Sequence, residues 1–560
     1  MRQLIECVPN FSEGRDPEVI RQIAEAIQSV EGVSLLDTDP GKAAHRTVIT
    51  FVGEPAAVVE AAFRAIQKAA ELIDMRKHHG EHPRMGATDV CPLVPVSNIT
   101  LDETAHWAEE LGRRVGEKLG IPVYLYEAAA TSPERRNLAH IRAGEYEGLP
   151  DKIARPEWRP DFGPAQFNPR SGATVIGARN FLIAYNVNLN TTSTRRANSV
   201  AFDVREAGRV VPDPATGKPL KDAEGNPIRQ PGLLKGVKGI GWYIEEYGIA
   251  QVSMNITDIA ATPLHMAFEA CCESASRRGM RVTGSELVGL VPLQALLDAG
   301  RYFLKKQKRS VGVSDAELIK IAVKSMGLDE LTPFDPKRRV IEYSIQALQA
   351  APPKLVARSL EDFAQETASE SPAPGGGSIS AYVGALGAAL GAMVANLSAH
   401  KRGWDDRWEA FSDAAARAQE HLKKLLRLVD ADTDAFNQVM AAFALPKGSE
   451  AEKAARKAAI QDATRQATET PLEVMRAALQ SFDVLQQMAD SGNPNSASDA
   501  GVGALCARAA VRGAYLNVRI NLAGIEDRDW AAAALQEAED MLAAAERAEA
   551  QVLASVESKI

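Results

Sequence analysis

The stretch with the densest reactive groups is MRKHHGEHPRMGATDV, residues 75–90. It holds His78, His79 and His82, and Glu81 directly precedes the third histidine. Its glycines and proline predict a loop, and loops are where reactive side chains are usually presented. Imidazole titrates near neutral pH and a neighbouring carboxylate can fix its tautomer, so His82 is the candidate general base.

Two other interpretations of these histidines stay open. His78 and His79 are most simply solvated or hydrogen-bonded supports of the loop. A zinc site built from His78, His79 and His82 matches no established ligand spacing. We therefore expect no metal.

Further candidates lie on either side of this loop. DFGPAQFNPRSGATVIGARNF, residues 161–181, has glycines, prolines and phenylalanines that could wall a flat aromatic ligand. A turn-rich linker explains it equally well. Asp37 and Asp39 lie at the end of the strand pattern VSLLDTD and could orient a cationic substrate or a histidine, or could be solvated acids.

Two motifs stand out in the last third of the chain. Three glycines and Ser378 precede an apolar helix, whose free N–H groups could accept an anion. No lysine follows, as a nucleotide-binding loop would require. LVDADTDAF carries Asp430, Asp432 and Asp434, of which the first and last share a helix face while Asp432 points away. The glycine and terminal glutamate of a calcium loop are missing.

The elements that must position these residues divide the chain in two. Residues 1–345 alternate short β-rich runs with amphipathic helices, which predicts an α/β sandwich of two αβ subdomains, 1–180 and 181–345. Within the second, 210–232 is rich in Pro, Gly and charge and indicates an exposed loop. Adjacent prolines mark a linker at 346–354, and Ala-rich amphipathic stretches predict an all-α helical domain over 355–560.

Composition limits the possible partners. The chain has 560 residues and a net charge of -9, which argues against a nucleic-acid-coating surface. Its five cysteines are too few for a disulfide scaffold and indicate a reducing, cytoplasmic compartment. The uncharged run 371–399 is too weakly hydrophobic for a convincing membrane span. Its glycines at 384, 387 and 391 share a helix face, which suits a bundle centre or the interface of a homo-oligomer.

Six phrases give the first region a specific resemblance. They look like the formiminotransferase domain of the formimidoyltransferase-cyclodeaminase family, the folate enzymes of histidine degradation: ECVPNFSEGR (6–15), GEHPRMGATDVCP (80–92), IRAGEYEGLP (141–150), PDFGP (160–164), GIGWY (239–243) and LVGLVPLQALLDAG (287–300). The resemblance implies two ferredoxin-like subdomains with folate in the groove between them, and His82 as the catalytic histidine. It also implies a folate-binding stretch made of Gly163, Pro164, Ala165, Gln166, Phe167, Asn168, Pro169, Arg170, Ser171 and Gly172.

The helical region resembles the cyclodeaminase domain of the same family through PAPGGGS, VDAD and GNPNSASDAGVGA (492–504). That domain is similar to small helical methenyltetrahydrofolate cyclohydrolases. The resemblance implies that Asp432 is the catalytic aspartate. Ser498, Asp499 and the turn 375–378 are then candidate walls of a second folate site.

Together these resemblances imply a bifunctional enzyme. It would move a formimino group from formiminoglutamate to its co-substrate tetrahydrofolate, and then cyclise and deaminate the product. His82 would carry the transferred proton, Asp39 would stabilise positive charge, and Asp432 would shuttle the proton of ring closure. A formyl donor, a helical domain that works as a cyclohydrolase, and one that serves only as a dimerisation scaffold remain alternatives. We expect small-molecule substrates, no nucleic acid, no membrane and a homo-oligomer built on dimers.

Overall fold

The computed structural model describes residues 3–42, 44–80, 82–214, 216–222, 225–348 and 354–560. Contacts divide the chain into two compact units. One comprises residues 1–299 and 319–349, and the other residues 300–318 and 350–560.

The first half of the αβ unit is built on one mixed sheet. Four strands pair antiparallel in the order β3-β4-β1-β5, which is the ferredoxin-like arrangement, and β7 and β6 extend it in parallel beyond β5. The short β2 continues the line of β1 between β4 and β5. The elements are β1 (Leu4–Cys7), β2 (Asn10–Phe11), α1 (Pro17–Gln28), β3 (Val33–Gly41), β4 (Arg46–Gly53), α2 (Pro55–Leu72), β5 (Thr88–Ser97), α3 (Leu101–Leu119), β6 (Val123–Glu127), α4 (Leu138–Arg142), α5 (Glu145–Ile153) and β7 (Thr174–Ala178).

Alternation along the strands gives this sheet one face packed against α1, α2 and α3, and an opposite face that is polar at β1, β2 and β4 and carries a second apolar cluster at β5, β6 and β7. Ile5, Cys7, Phe11 and Ile49 are completely buried and pack in one core with the apolar stripes of α1, α2 and α3. Side chains at intervening positions point to the other face, since successive strand residues alternate. Glu6, Asn10 and Arg46 therefore line the face opposite the helices. This polar face carries the candidate chemistry.

A second ferredoxin-like sheet follows, in the antiparallel order β11-β12-β8-β13. Strands β11 and β12 form a hairpin. The elements are β8 (Ile183–Leu189), α6 (Thr194–Val204), β9 (Arg209–Val210), β10 (Arg229–Gln230), β11 (Val237–Ile244), β12 (Ile249–Ile256), α7 (Leu264–Ser276), β13 (Val282–Val288), α8 (Leu293–Lys306), α9 (Asp315–Met326), α10 (Pro336–Arg339) and α11 (Ile341–Leu348).

Three boundaries differ from the sequence-based expectation. The segment 210–232 was expected to be an exposed loop throughout, but residues at its two ends form the short antiparallel strands β9 and β10. The expected linker at 346–354 begins inside α11, which continues to Leu348, and residues 349–353 lie outside the described residues. Residues 300–318 join the helical unit and not the subdomain 181–345, because Val311 N donates to Ser412 Oγ and the Gly312 carbonyl accepts from Asn396.

The second unit is helical, as expected, and α13 lies in its core. A stretch of α13 is long and apolar enough to cross a membrane, but 61% of that stretch is buried inside the bundle. The helices that follow the αβ region are α12 (Leu360–Thr367), α13 (Gly376–Ala399), α14 (Trp408–Ala444), α15 (Glu450–Ser491), α16 (Ala497–Leu522) and α17 (Arg528–Glu557).

Glycines let α13 approach its neighbours closely. A Cβ built on Gly387 would lie 2.8 Å from the Gly503 carbonyl oxygen, and one on Gly384 would lie 3.0 Å from the Ala510 Cβ. One on Gly391 would make only ordinary contacts with Leu485, the nearest at 3.4 Å. The glycine face therefore packs between helices of one chain. Of the two roles that the sequence suggested for these glycines, the structure shows the one at the centre of the bundle.

We expect Gly387→Ala to destabilise the helical unit by up to about 2 kcal/mol. Overpacking against a backbone carbonyl costs roughly 1–3 kcal/mol, and the roughly 1 kcal/mol that alanine gains in a helix offsets part of this cost. Gly391→Ala is the matched control and should be neutral or stabilising. Urea unfolding followed by circular dichroism measures both, and equal midpoints for the two variants would contradict the packing argument.

Glu6 is a buried carboxyl on the polar face of β1, only 3% exposed. Burial raises its pKa from 4.5 to about 7; the Arg179 guanidinium opposes this rise and the Glu342 carboxylate adds to it. The unfolded chain therefore ionises this carboxyl at lower pH than the folded protein does. Stability that is present below about pH 4.5 is lost as the pH rises through about 7.

Glu6→Gln should remove that loss. We expect the variant to gain roughly 2–3 kcal/mol in unfolding free energy over the wild type between pH 5 and pH 8, because each pKa unit corresponds to about 1.4 kcal/mol. Denaturant unfolding of both proteins at the two pH values measures this difference. A difference that stays constant with pH would show that Glu6 does not titrate in this range.

Candidate functional site

His82 lies in the loop between a turn of 3₁₀ helix at Met75–Lys77 and strand β5. Its Nδ1 is 2.6 Å from Arg46 Nη1 and 2.7 Å from the Pro83 carbonyl oxygen, and its Nε2 is 3.2 Å from Arg46 Nη1. Glu81, which the sequence placed beside it, lies outside the described residues.

These contacts keep the imidazole neutral. If Nδ1 is protonated it donates to Pro83, and Nε2 accepts from Arg46; if Nδ1 is unprotonated it accepts from Arg46 itself. In either tautomer Arg46 faces a lone pair of the ring. Burial, reinforced by the positive charges of Arg46 and Arg142, lowers the pKa of His82 to about 3. The ring is thus a free base in this state and must turn from Arg46 to accept a proton.

A completely buried aspartate holds both arginines. Asp89 Oδ2 is 3.0 Å from Arg46 Nη1 and 2.6 Å from Arg142 Nη2, and Asp89 Oδ1 accepts from the Met85 N–H. Asn10 Oδ1 accepts two further hydrogen bonds from Arg46. With His82 neutral, the two arginines outweigh the one carboxylate. The cluster therefore carries one uncompensated positive charge.

A β-bulge gives Asp89 its orientation. Where β2 pairs with β5, the register moves from Asn10 opposite Val90 to Phe11 opposite Thr88, so Asp89 has no partner on the neighbouring strand. An extra residue of this kind redirects side chains and is common beside active sites. The acid would otherwise share the face of Cys91, which lies in the apolar core. Simple alternation along the sequence does not reveal this.

His78 and His79 lie apart from that cluster. His78 Nε2 donates to the His45 carbonyl, its Nδ1 accepts from Arg84, and its ring stacks on His45 at 4.3 Å. The His79 carbonyl is 2.9 Å from His45 Nδ1. These contacts fit the supporting role that the sequence favoured for this pair. Among the described residues, no group of three or more His, Cys, Asp or Glu is placed to hold a metal ion.

The stretch 163–172 forms a braced loop. Its first four residues are exposed, whereas Ser171 and Gly172 are buried. Asn168 Oδ1 accepts from the backbone N–H groups of Arg170 and Ser171. Arg170 donates to the Ala70 and Glu71 carbonyls at the end of α2, so its side chain is engaged in holding the loop.

The structure brings this loop to the segment that follows His82. Gly172, with a positive φ of 67°, bridges to Gly86, and a Cβ at Gly172 would lie 2.1 Å from the Met85 carbonyl. The Ala87 N–H donates to the Ser171 carbonyl. Only glycine fits a left-handed position this crowded. The candidate folate loop and the His82 loop are therefore joined through their backbones.

Asp39 occupies a different position. It lies on β3, where its Oδ2 accepts from the Gly289 N–H at 3.1 Å and is 3.8 Å from Arg339 Nη1. Arg339 also lies 3.7 Å from Asp37, whose pKa is raised by burial and by the Asp39 carboxylate. Asp39 thus contacts the second subdomain, and its cationic neighbour is Arg339. Among the described residues, Asp39 makes no contact with His82.

The polar face of the second sheet carries residues that the sequence analysis did not single out. Gln251 donates to Asn188, Asn186 donates to Glu286, and the Tyr247 hydroxyl donates to Glu286 at 3.2 Å. Asn188 and Gln251 are completely buried. The signal was present in AYNVNL, where polar residues alternate with core residues at the strand period.

Asp432 is a residue of α14 and lies against the start of α13. Its Oδ2 accepts from Ser378 Oγ at 3.0 Å, and Ser378 also contacts Thr433. Burial raises the pKa of Asp432, and the hydrogen bonds from the Ser378 side chain and backbone partly offset the rise. A Cβ at Gly377 would lie 2.1 Å from Asp432 Oδ1, so a glycine is required there. The turn at 375–378 and Asp432 form one site, whereas Asp430 accepts from the Leu355 N–H.

Ser498 and Asp499 do not join this site within one chain. They begin α16, directly after a turn in which the Asn493 N–H donates to Ser398 Oγ. Ser398 is near the opposite end of α13 from Ser378, and twenty residues of helix span about 30 Å. Their role as walls of the Asp432 site is therefore wrong for a single chain, because α16 runs antiparallel to α13.

Comparisons with known proteins cover both units. Family models match residues 4–179 (formiminotransferase domain, N-terminal subdomain), 184–346 (formiminotransferase domain) and 359–540 (formiminotransferase-cyclodeaminase). A formimidoyltransferase-cyclodeaminase of Gallus gallus is 45% identical over 559 residues, with both chains fully covered.

Two relatives match the helical region alone. A methenyltetrahydrofolate cyclohydrolase of Methylorubrum extorquens is 38% identical over 36% of this chain and 97% of its own. The crystal structure of a formiminotetrahydrofolate cyclodeaminase from Thermotoga maritima is 33% identical over 36% of this chain and 96% of its own, with a TM-score of 0.32. With three family models in order and full-length identity, the chain belongs to the formiminotransferase-cyclodeaminase family.

Proposed function

We propose that the chain is a bifunctional folate enzyme. Residues 1–345 transfer the formimino group from N-formimino-L-glutamate to tetrahydrofolate, and residues 355–560 convert the product into 5,10-methenyltetrahydrofolate and ammonia. The proposal rests on 45% identity over the full length of a protein named for both activities. Each unit also has its own polar centre, at His82 in one and at Asp432 in the other. The domain bounds stay a prediction.

In the transfer, nitrogen-5 of tetrahydrofolate attacks the amidine carbon of the donor. A bond forms between nitrogen-5 and that carbon, nitrogen-5 loses a proton, and the bond to the glutamate nitrogen breaks as that nitrogen gains a proton. His82 is a free base beside two arginines and can carry this proton once its ring leaves Arg46. The exposed part of the loop 163–172 offers a surface to the folate.

In the cyclisation, nitrogen-10 of the folate attacks the formimino carbon and ammonia departs. The formimino group reacts as its amidinium, –CH=NH2+, so nitrogen-10 loses one proton, the leaving –NH2 gains one, and the positive charge stays on the methenyl product. A single group that gives and takes protons serves both transfers. Burial keeps Asp432 more readily protonated than a surface aspartate, and Ser378 fixes its orientation. This supports Asp432 as the proton shuttle.

Asp39 is the weakest of the proposed catalytic residues. Its carboxylate is held by Gly289 and faces Arg339 between the two subdomains. That position suits a residue that orients a cationic amidine in the groove, provided that Arg339 yields the contact. We keep it as a candidate for stabilising positive charge.

Two alternatives concern the helical unit. Similarity to a methenyltetrahydrofolate cyclohydrolase favours that activity in place of deamination. A scaffold without catalysis is the other. Purified protein given 5-formimidoyltetrahydrofolate separates them, since a deaminase releases ammonia as methenyl absorbance grows, a cyclohydrolase turns over only methenyltetrahydrofolate, and a scaffold does neither. Competition between formimino- and formylglutamate identifies the donor.

We propose further a cytoplasmic homo-oligomer that uses tetrahydrofolate as co-substrate and no metal. Free cysteines are consistent with a reducing compartment. Large apolar side chains of α13 and α16 are more than a third exposed, which supports association of helical units: Leu386, Met393, Leu397, Val502, Leu505, Leu516 and Ile520. Sedimentation velocity measures the assembly.

We expect His82→Ala to lower the transferase kcat by about 10²- to 10⁴-fold, the usual contribution of a positioned base. The cyclodeaminase rate on supplied 5-formimidoyltetrahydrofolate should stay unchanged. His106→Ala, an exposed histidine on α3, is the control. Transfer at the wild-type rate in His82→Ala would remove this residue from the mechanism.

Asp432→Asn should show the opposite pattern. The amide keeps the shape and can still hydrogen-bond to Ser378, but it cannot carry a proton, so ammonia release should fall by about 10²-fold or more while transfer is retained. Asp434→Asn, which changes an exposed neighbour on the same helix, is the matched control. Retained deamination in Asp432→Asn would assign the proton to another group.

A further inference from the structure

The cluster around His82 has a buried negative centre and a positive edge. Asp89 is completely inaccessible, whereas the Arg46 and Arg142 side chains keep 13% and 14% of their surface exposed. His82 contacts Arg46 at this edge. What remains accessible at this edge belongs to the two arginine side chains and a neutral imidazole.

The cluster also has unused capacity for an anion. Two arginines share a single carboxylate, so one positive charge is uncompensated. Arg142 Nε has no hydrogen-bond partner in the described part of the chain. Arg46 already donates to Asn10, Asp89 and His82, whereas Arg142 donates only to Asp89 in the described part of the chain. Arg142 therefore has donors left for a planar carboxylate, and the charge of Arg46 adds to the attraction.

We propose that Arg46 and Arg142 form a subsite for a carboxylate of the amino-acid donor, next to His82. The inference rests on the proposed transferase function and specifies how its donor is recognised. Formiminoglutamate carries two carboxylates, and one of them held here places the rest of the donor beside the imidazole.

This subsite also couples binding to catalysis. The groups that face His82 are Arg46 on β4, Arg142 on α4, Asp89 on β5 and the Pro83 carbonyl of its own loop. A bound carboxylate neutralises the excess positive charge of the arginines. The pKa of His82 then rises toward the range in which it works as a base, so the donor itself activates the histidine.

The test measures binding and titration without turnover. Glutamate and glutarate are titrated calorimetrically into the full-length wild type, with uncharged glutaramide as the probe for a carboxylate requirement. The titration of His82 is followed by NMR of histidine-labelled protein, with and without glutamate, its signal assigned with His82→Gln. We expect both acids to bind, glutaramide not to bind, and glutamate to raise the His82 midpoint by one pH unit or more.

Variants locate the subsite. Arg142→Gln should weaken glutamate binding at least tenfold and raise the His82 midpoint of the free protein, whereas Arg142→Lys keeps the charge and should stay within about threefold. Arg113→Gln, an exposed arginine on α3, is the control. Unchanged glutamate affinity in Arg142→Gln, or a His82 midpoint in wild type that ignores glutamate, would overturn the proposal; the wild-type measurement stands even if Arg142→Gln fails to fold.

A further comparison tests whether the subsite binds the donor or the glutamate tail of folate. Folic acid and pteroic acid, which lacks the tail, are compared on wild type and Arg142→Gln. If Arg142→Gln changes the affinities for folic acid and pteroic acid equally, the result supports a donor subsite. If the variant loses affinity for folic acid alone, the assignment to the donor is overturned. Absence of transferase activity with formiminoglutamate would refute the proposed function alone, because glutarate binding does not depend on turnover.

Discussion

The ion pairs of one buried aspartate organise the αβ unit at its candidate active site. Asp89 is removed from water and contacts Arg46 of β4 and Arg142 of α4, so it joins the sheet to a helix that comes fifty residues later. A buried carboxylate without such partners would carry a desolvation cost of several kcal/mol. The arginines, in turn, add to burial in keeping His82 neutral.

The helical unit meets the same electrostatic problem with a different solution. Asp432 has no arginine among its hydrogen-bond partners in the described residues and depends on a serine and on the start of α13. A glycine at 377 gives the carboxylate room to approach that helix end. One unit lowers the basicity of a histidine by burial together with excess positive charge, and the other raises the pKa of an acid by burial.

Local patterns were enough to predict much of this architecture. The short β-rich runs of residues 1–345 indicated strands, and the Ala-rich periodicity after 355 indicated a bundle, because each of these signals is confined to one element. His82 and Asp432 came from motifs of a few residues. Long-range relations escaped: Arg46 and Arg142 are separated from His82 by 36 and 60 positions, and residues 300–318 join the helical unit through contacts that no local periodicity records. Ser498 was misplaced for the same reason, since helix direction is a tertiary property.

The bulge in β5 has a consequence for the strand as a whole. Before it, Thr88 shares the face of Phe11, and after it Cys91 does, although the two are an odd number of positions apart. The residues that face the apolar core are therefore even-numbered before the bulge and odd-numbered after it. Deletion of Asp89 would restore regular alternation, and it would also remove the carboxylate that contacts both arginines. The bulge thus shifts the alternation of β5 by one residue, and the charged residue of the strand, Asp89, lies at the position of that shift.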